Sequence, residues 1–277
     1  SINRGMADSQ SEYVLLLNND VELDSSFLAT LVSSMEGNKC CGFCTGKLID
    51  AQNTTLLDGV GDAILVGGGV YRLGHADLDL GQFHSPFHVL AGCGAATLFR
   101  RSILEEIGGL DEDFFAYLDD VDVALRARLM GYSGICVPQA TARHIGSATL
   151  KEAFHPRIVE WLTRNQILLI AKTYPTAVLL RVLPQIITFQ MLWVVLVLRR
   201  TRVIAYTKGV LGALRLLPRI VTKRRELMRT RKIDNRDFMN ALRSSEKQVF
   251  EWHHDRSRGK RSTLLKLYFC LFRPKAH

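Results

Sequence analysis

Along the first 150 residues, short apolar runs that stop at polar residues alternate with amphipathic stretches, the pattern of an α/β core. Tyr13 to Leu17 is wholly apolar and ends at Asn18-Asn19-Asp20. A buried parallel-sheet strand ends in this way at its carboxyl edge, where open α/β sheets bind ligands. Asp24 to Glu36 follows as a capped amphipathic helix closed by Gly37, and Cys41 to Ile49 as a second strand. Val89 to Phe99 reads as a glycine-interrupted strand, Ser102 to Ile107 as a short helix and Gly134 to Pro138 as a further strand. Between Asp50 and Phe87 the chain is glycine-rich and weakly periodic, which predicts functional or mobile loops. His75, His84 and His88 in and beside this region read as surface or packing residues. Gly67 to Gly69 lacks the Lys-Ser/Thr of a phosphate loop.

The most informative stretch is Gly109 to Gly131, GLDEDFFAYLDDVDVALRARLMG. An aromatic run leads to Asp119, Asp120 and Asp122, and an apolar-periodic segment follows, so a loop feeds a helix. Each acid alone fits a helix start, where free N–H groups and the dipole favour negative charge, and Asp122 can pair with Arg126 four residues on. Three acids in four positions repel one another unless a cation, a bound hydroxyl or a basic partner sits among them.

Beyond residue 150 the pattern becomes helical. Pro156 to Tyr174 is amphipathic, with Trp161, Leu162, Ile167, Leu168 and Ala171 at helical spacing. Ile186 to Leu198 is apolar but shorter than the roughly 20 residues a span needs. It therefore predicts a re-entrant or in-plane membrane helix, with a single span over 176–198 as the alternative. Tyr206 to Ile220 sets Lys208, Arg215 and Arg219 beside a leucine-rich face, as monotopic anchors do, although a helix packed on the core would look similar.

Charge sharpens this division. The net charge of +9 in 277 residues hides 14 Lys+Arg against 21 Asp+Glu up to residue 198, and 22 against 6 after it. A basic tail suits an anionic membrane or nucleic acid. The stretch Lys223 to Lys232 has none of the aromatic residues that stack on single-stranded nucleic acid, so the membrane is favoured. The cluster Cys40-Cys41 and Cys44 has no second Cys or His pair at zinc spacing and reads as buried strand residues. No secretory signal is present, so a reducing environment on the cytoplasmic side is expected.

Asp119-Asp120, with Arg126 six residues after Asp120 and Gly131 five after that, resembles the acidic-pair motif of the inverting family 2 glycosyltransferases, the GT-A sugar-nucleotide enzymes. The form FFAYLDDVDVALRARLMGY is most similar to the rhamnosyltransferase-like branch, which builds cell-surface polysaccharides. The resemblance implies a GT-A, Rossmann-like mixed sheet flanked by helices. It covers roughly residues 3–150 and begins partway into the family's catalytic domain, so an N-terminally incomplete domain (1–150) with a helical basic appendage (151–277) is expected. LLLNND occupies the place of the Asp-X-Asp motif, which implies Asn18 and Asp20 at the donor and Asp20 as ligand to Mg²⁺ or Mn²⁺. Pro138, Ala140 and His144 reproduce the P-x-A-x-x-x-H spacing, which implies His144 as a second ligand. Asp120 would be the base, with Asp119 orienting its neighbours. The expected partners are a nucleotide-diphosphate sugar, a glycan or lipid-linked acceptor and the cytoplasmic face of an anionic membrane. The alternative is a non-catalytic, membrane-surface remnant of such an enzyme.

Overall fold

Residues 2–145, 154–255 and 262–274 are described by the computed structural model. After a short α1 (Ile2–Ala7) come β1 (Tyr13–Leu17), β2 (Val21–Leu23), α2 (Phe27–Glu36), β3 (Cys41–Asp50) and β4 (Leu57–Gly59). Then follow β5 (Asp62–Ile64), β6 (Val70–Arg72), β7 (Phe87–Val89), β8 (Ala96–Arg100), α3 (Arg101–Glu106), α4 (Asp119–Leu129) and β9 (Ser133–His144). The main sheet has the order β1-β8-β3-β9-β2, with β4 on β3 and β7 on β9, while β5 and β6 form a separate hairpin. Among the described residues only β3 and β9 run parallel; the other pairs are antiparallel.

Burial explains the β3 sequence. Phe27, Leu31 and Met35 of α2 pack on one face of the sheet, against Cys41, Cys44, Leu48, Val137 and Ala142. Phe43 and Phe99 face the opposite core with Val121, Leu125 and Leu129 of α4. A strand covered on both sides reads as a continuous apolar run.

Several boundaries differ from the sequence reading, each for a physical reason. β1 has the predicted limits, but it lies antiparallel to β8, its one neighbour among the described residues, and is half-buried. The predicted strand 89–99 is two strands, β7 and β8, separated by a turn at Cys93 to Ala96. β9 continues past Pro138 to His144, because its register against β3 shifts between Val137 and Thr141 and leaves the proline, which has no N–H, in the irregularity. Gly37 ends α2 with ordinary right-handed geometry (φ −67°) rather than a left-handed cap.

The remaining helices are α5 (Pro156–Thr173), α6 (Thr176–Arg181), α7 (Leu183–Arg199), α8 (Val203–Thr230), α9 (Asn235–Asp255) and α10 (Thr263–Leu271). Leu168, Leu169, Tyr174, Phe238, Leu242, Val249 and Tyr268 from these helices share one core with the sheet residues. They also complete its backbone: Ile64 N–H donates to Ser245 Oγ at 2.7 Å, Val66 N–H to Glu246 Oε1 at 3.0 Å and Gly67 N–H to Tyr268 Oη at 3.1 Å. The β5–β6 hairpin is therefore seated on α9 and α10. Among the described residues no helix is long and apolar enough to cross a membrane.

Candidate active site

Asn18, Asp20, Asp119, Asp120 and His144 all line one cleft of about 1030 Å³. The cleft runs from β1 to the start of α4, and residues 100 or more positions apart meet in it because β1 and β2 flank the sheet whose last strand ends at His144.

At one end of the cleft, the β2–β9 register sets Val21 opposite His144, and Ile145 N–H donates to the Asp20 carbonyl at 3.0 Å. His144 Nε2 then lies 3.4 Å from Asp20 Oδ1, while Nδ1 is held by Asp58 Oδ2 at 2.7 Å. Asp58 is buried, and its carboxyl is held below the usual range because bonds from His144 and the charge of Arg72 outweigh the burial that would raise it. A carboxylate on one ring nitrogen fixes the tautomer and aims the other nitrogen, the arrangement found behind metal-binding histidines. Among the described residues no three His, Cys, Asp or Glu side chains converge to hold a cation alone. Asp20 and His144 fit a cation that draws its remaining ligands from bound phosphates, as Mg²⁺ commonly does.

At the other end, α4 opens at Asp119 after a loop in which Phe115, Tyr117 and Leu118 all have left-handed φ values of 60°, 66° and 63°. Such residues cost energy and persist only where the surroundings hold them. Asn165 of α5 is the holder: its Nδ2 donates to the carbonyls of Phe114, Ala116 and Tyr117 at 2.9, 2.8 and 2.6 Å, and Arg164 Nη2 adds a bond to Phe114 O at 2.6 Å.

The three acids then part company. Asp122 turns inward, where Arg126 Nε reaches it at 2.7 Å and Lys172 Nζ at 2.8 Å; Lys172 in turn bonds Asp111 at 2.6 Å. Asp122 is thus the ion-paired acid that its spacing to Arg126 suggested. Asp119 and Asp120 face the cleft. Burial and the charge of Asp120 push Asp119 up to about 6. Burial and the Asp62 carboxylate push Asp120 up to about 6, against the Val121 N–H bond and Arg72. Asp120 Oδ1 accepts from Val121 N–H at 2.8 Å, and Gly94 lies so close that a methyl group there would overlap the carboxylate. A buried carboxyl that titrates near neutrality is suited to accept a proton.

At the cleft mouth, the Trp161 ring lies 5.4 Å from Phe115 and 6.0 Å from Tyr117, and Phe115 is 73% exposed. Arg100 and Arg101, at the end of β8 and the start of α3, bind backbone carbonyls of Cys41, Met35, Met6 and Ser11.

Asp58, Asp62, Arg72, Trp161 and Asn165 were not among the sequence candidates. A signal existed only for Asn165, a polar residue on the apolar side of a helix that also carries buried Lys172 seven positions later. Asp58, Asp62 and Arg72 lie in the segment whose periodicity was too weak to place.

A family model described as Glycosyl transferase family 21 matches residues 1–241. The O-antigen biosynthesis protein RfbC of Myxococcus xanthus is 30% identical over 169 residues, covering 59% of this chain and 13% of that protein. N-acetylglucosaminyl-diphospho-decaprenol L-rhamnosyltransferase of Mycobacterium tuberculosis is 39% identical over 51 residues, covering 18% of this chain and 17% of that one. The chain thus spans 13% to 17% of the length of these curated relatives. The crystal structure of GalNAc-T7 with UDP, GalNAc and Mn²⁺ superposes with a TM-score of 0.57 at 11% identity, over 94% of this chain and 45% of that one. At that identity the likeness is one of fold alone.

Proposed function

The chain belongs to glycosyl transferase family 21, and on that premise we propose that it transfers a sugar, with inversion, from a nucleoside-diphosphate donor to a hydroxyl of a cell-surface glycan or lipid-linked acceptor. The GT-A glycosyltransferase lineage expected from the acidic pair thus holds, under a family number other than 2. The observation that carries the proposal is one cleft with Asp119 and Asp120 at one end and the Asp20–His144 pair at the other.

In this reading Asp120 takes the proton from the acceptor hydroxyl as that oxygen bonds to the anomeric carbon. The glycosidic C–O bond breaks on the opposite side, and its electron pair leaves with the diphosphate. Asp119, close enough to share charge with Asp120, keeps the pair's proton within the site. Asp20 and His144 would hold Mg²⁺ or Mn²⁺, which when bound neutralises charge growing on the leaving diphosphate. Asn18, exposed beside them, borders the donor. The Phe115, Tyr117 and Trp161 rings offer an apolar face to the acceptor. Support for a phosphate-linked lipid acceptor comes from the name of the mycobacterial relative, and support for a divalent cation from the Mn²⁺ and UDP in the structural neighbour.

Calorimetric titration with UDP and dTDP in Mn²⁺, repeated with chelator and with Asp20→Ala, tests the reading. Binding is expected to need the metal and to weaken at least about 10-fold in Asp20→Ala, since outer and inner ligands each carry that much affinity. Absence of any nucleotide binding would replace the proposal with the non-catalytic remnant.

Helices α5 to α10 brace this site and, we infer, dock it on the cytoplasmic face of a membrane. Leu183, Ile187, Met191, Val195 and Leu198 form an exposed stripe along α7. Ile204, Leu211 and Leu214 of α8 are exposed beside Lys208 and Arg215. Apolar stripes flanked by basic residues suit helices lying in the plane of an anionic leaflet. Sedimentation with vesicles containing phosphatidylglycerol should show binding that falls with salt, and that drops about 10-fold or more in a Met191→Asp/Ile204→Asp double variant. Equal binding to neutral vesicles at high salt would sink the electrostatic half of this assignment.

A further inference from the structure

The base and the cation ligands leave two charged groups of the cleft without a task, Asp62 and Arg72. Their position is set by backbone register. In the β5–β6 hairpin Asp62 stands directly opposite Arg72, so both side chains leave the same face. The hairpin is pinned on one side by reciprocal bonds between Asp62 and Ala91, N–H to O at 2.9 and 3.1 Å, and on the other by the Ser245 and Glu246 acceptors of α9. The Arg72 stem lies over Gly59, where a methyl group would collide with its Cγ and Cδ.

The guanidinium donates to Asp58 Oδ2 at 3.0 Å. It approaches Asp62 Oδ1 only to 3.5 Å, and that oxygen has no hydrogen-bond partner although Asp62 is just 6% exposed. Buried unsatisfied oxygens are rare, and one that lines a cleft calls for a ligand. Its neighbours restrict the choice. Arg72 beside it disfavours a cation, and the carboxylates of Asp58, Asp62 and Asp120 disfavour an anion. A hydroxyl satisfies both members, giving its hydrogen to the carboxylate and accepting from the guanidinium. Location adds the identity of that hydroxyl. Asp62 lies near enough to Asp120 to alter its charge, and Arg72 reaches through Asp58 to His144. A group between the base and the cation ligands borders the ring whose anomeric carbon is being transferred.

We propose that Asp62 and Arg72 form a subsite for ring hydroxyls of the transferred sugar, Asp62 accepting and Arg72 donating, and that this pair sets which donor sugar is used. The proposal rests on the reading of the cleft as a sugar-transfer site. It is tested by measuring binding of bare UDP and dTDP against UDP-glucose, UDP-galactose, UDP-N-acetylglucosamine and dTDP-rhamnose in Mn²⁺, for the wild type, Asp62→Asn and Arg72→Lys. In the wild type at least one sugar nucleotide should bind more tightly than its bare nucleoside diphosphate. Asp62→Asn, nearly the same shape, should lose roughly 10- to 100-fold of that sugar-dependent gain, with bare-nucleotide binding unchanged within about twofold. Arg72→Lys, which keeps the charge but not the fork geometry, should change the ranking among the sugars. A thermal melt within a few degrees of wild type shows that each variant is folded.

Equal losses for bare and sugar-bearing nucleotides would make the pair a structural or diphosphate element and overturn the subsite. So would sugar nucleotides that bind the wild type no better than the bare ones. Failure of bare nucleotides to bind the wild type would overturn the sugar-transfer reading itself, and the subsite with it.

Discussion

Asp120→Asn is expected to lower the rate of transfer by 10³-fold or more while leaving metal-dependent nucleotide binding intact. A positioned general base contributes 10² to 10⁴ in rate, on the order of that loss, and an amide cannot take the proton. Because Asp120 titrates near 6, kcat/KM of the wild type should climb as pH rises through about 6 and level off above it. The same carboxyl has the opposite effect on stability. Its value lies above the ordinary 3.8, so the folded chain holds the proton more tightly than the unfolded one. The fold is therefore favoured below the ordinary value, and loses that advantage as pH rises from about 4 to above 6. Asparagine carries no charge to desolvate. Asp120→Asn should melt higher than wild type at pH 8, by about 1–2 kcal/mol of stability, with the difference shrinking at pH 4. Melting curves at the two pH values and a turnover assay check both halves. Wild-type-like turnover would remove Asp120 from the base role, and a variant less stable at pH 8 would show that its burial is not costly.

Asn165→Leu is expected to be the most damaging change outside the cleft lining. Leucine fills a similar volume but leaves the carbonyls of Phe114, Ala116 and Tyr117 without their shared donor. It also removes the restraint on three left-handed residues. Each unsatisfied buried group costs about 1–3 kcal/mol, part of which relaxation and water recover; a net loss of roughly 3–4 kcal/mol places the variant among severe single substitutions. The loop's register then slips. Because Leu118 is the residue before Asp119, a displacement of about 1 Å at the acidic pair should cost on the order of 10²-fold in kcat. Nucleotide affinity, which the proposed reading assigns to the Asp20 end, should hardly change. Chemical denaturation and a kcat-against-KM comparison would measure the two effects. Adding Phe115→Gly, which accepts φ near 60° without strain at a side chain that is 73% exposed, should restore part of the lost stability. Unchanged denaturation by the single variant would mean that the loop holds itself.

The parts legible in the sequence were those whose signal is local. Tyr13 to Leu17 could be bounded because an apolar run meets a polar stop, and α4 because three acids precede an apolar period. The Asp122–Arg126 pair followed from helical spacing alone. The residues brought together in the cleft, Asn18, Asp20, Asp119, Asp120 and His144, came from short motifs with fixed order, so the resemblance supplied what periodicity could not. What stayed hidden depends on distant partners. β4, β5, β6 and β7 are three residues each, too short to show a period, and the hairpin's acceptors lie about 180 residues away. Pro138 argued for a strand end because the irregularity that tolerates it is visible only in the pairing with β3.

The seating of the β5–β6 hairpin on α9 and α10 bears on how such a chain can change over generations. Ile64, Val66 and Gly67 contribute peptide N–H groups to these bonds, while the Ile64 and Val66 side chains are buried in the core and a methyl group at Gly67 would meet the Gln185 carbonyl. Ser245, Glu246 and Tyr268 contribute side-chain oxygens, which few replacements supply. Mutation is therefore checked on both sides of each bond, so the position of Asp62 and Arg72 is inherited jointly from the hairpin and from helices 180 to 201 residues downstream of it.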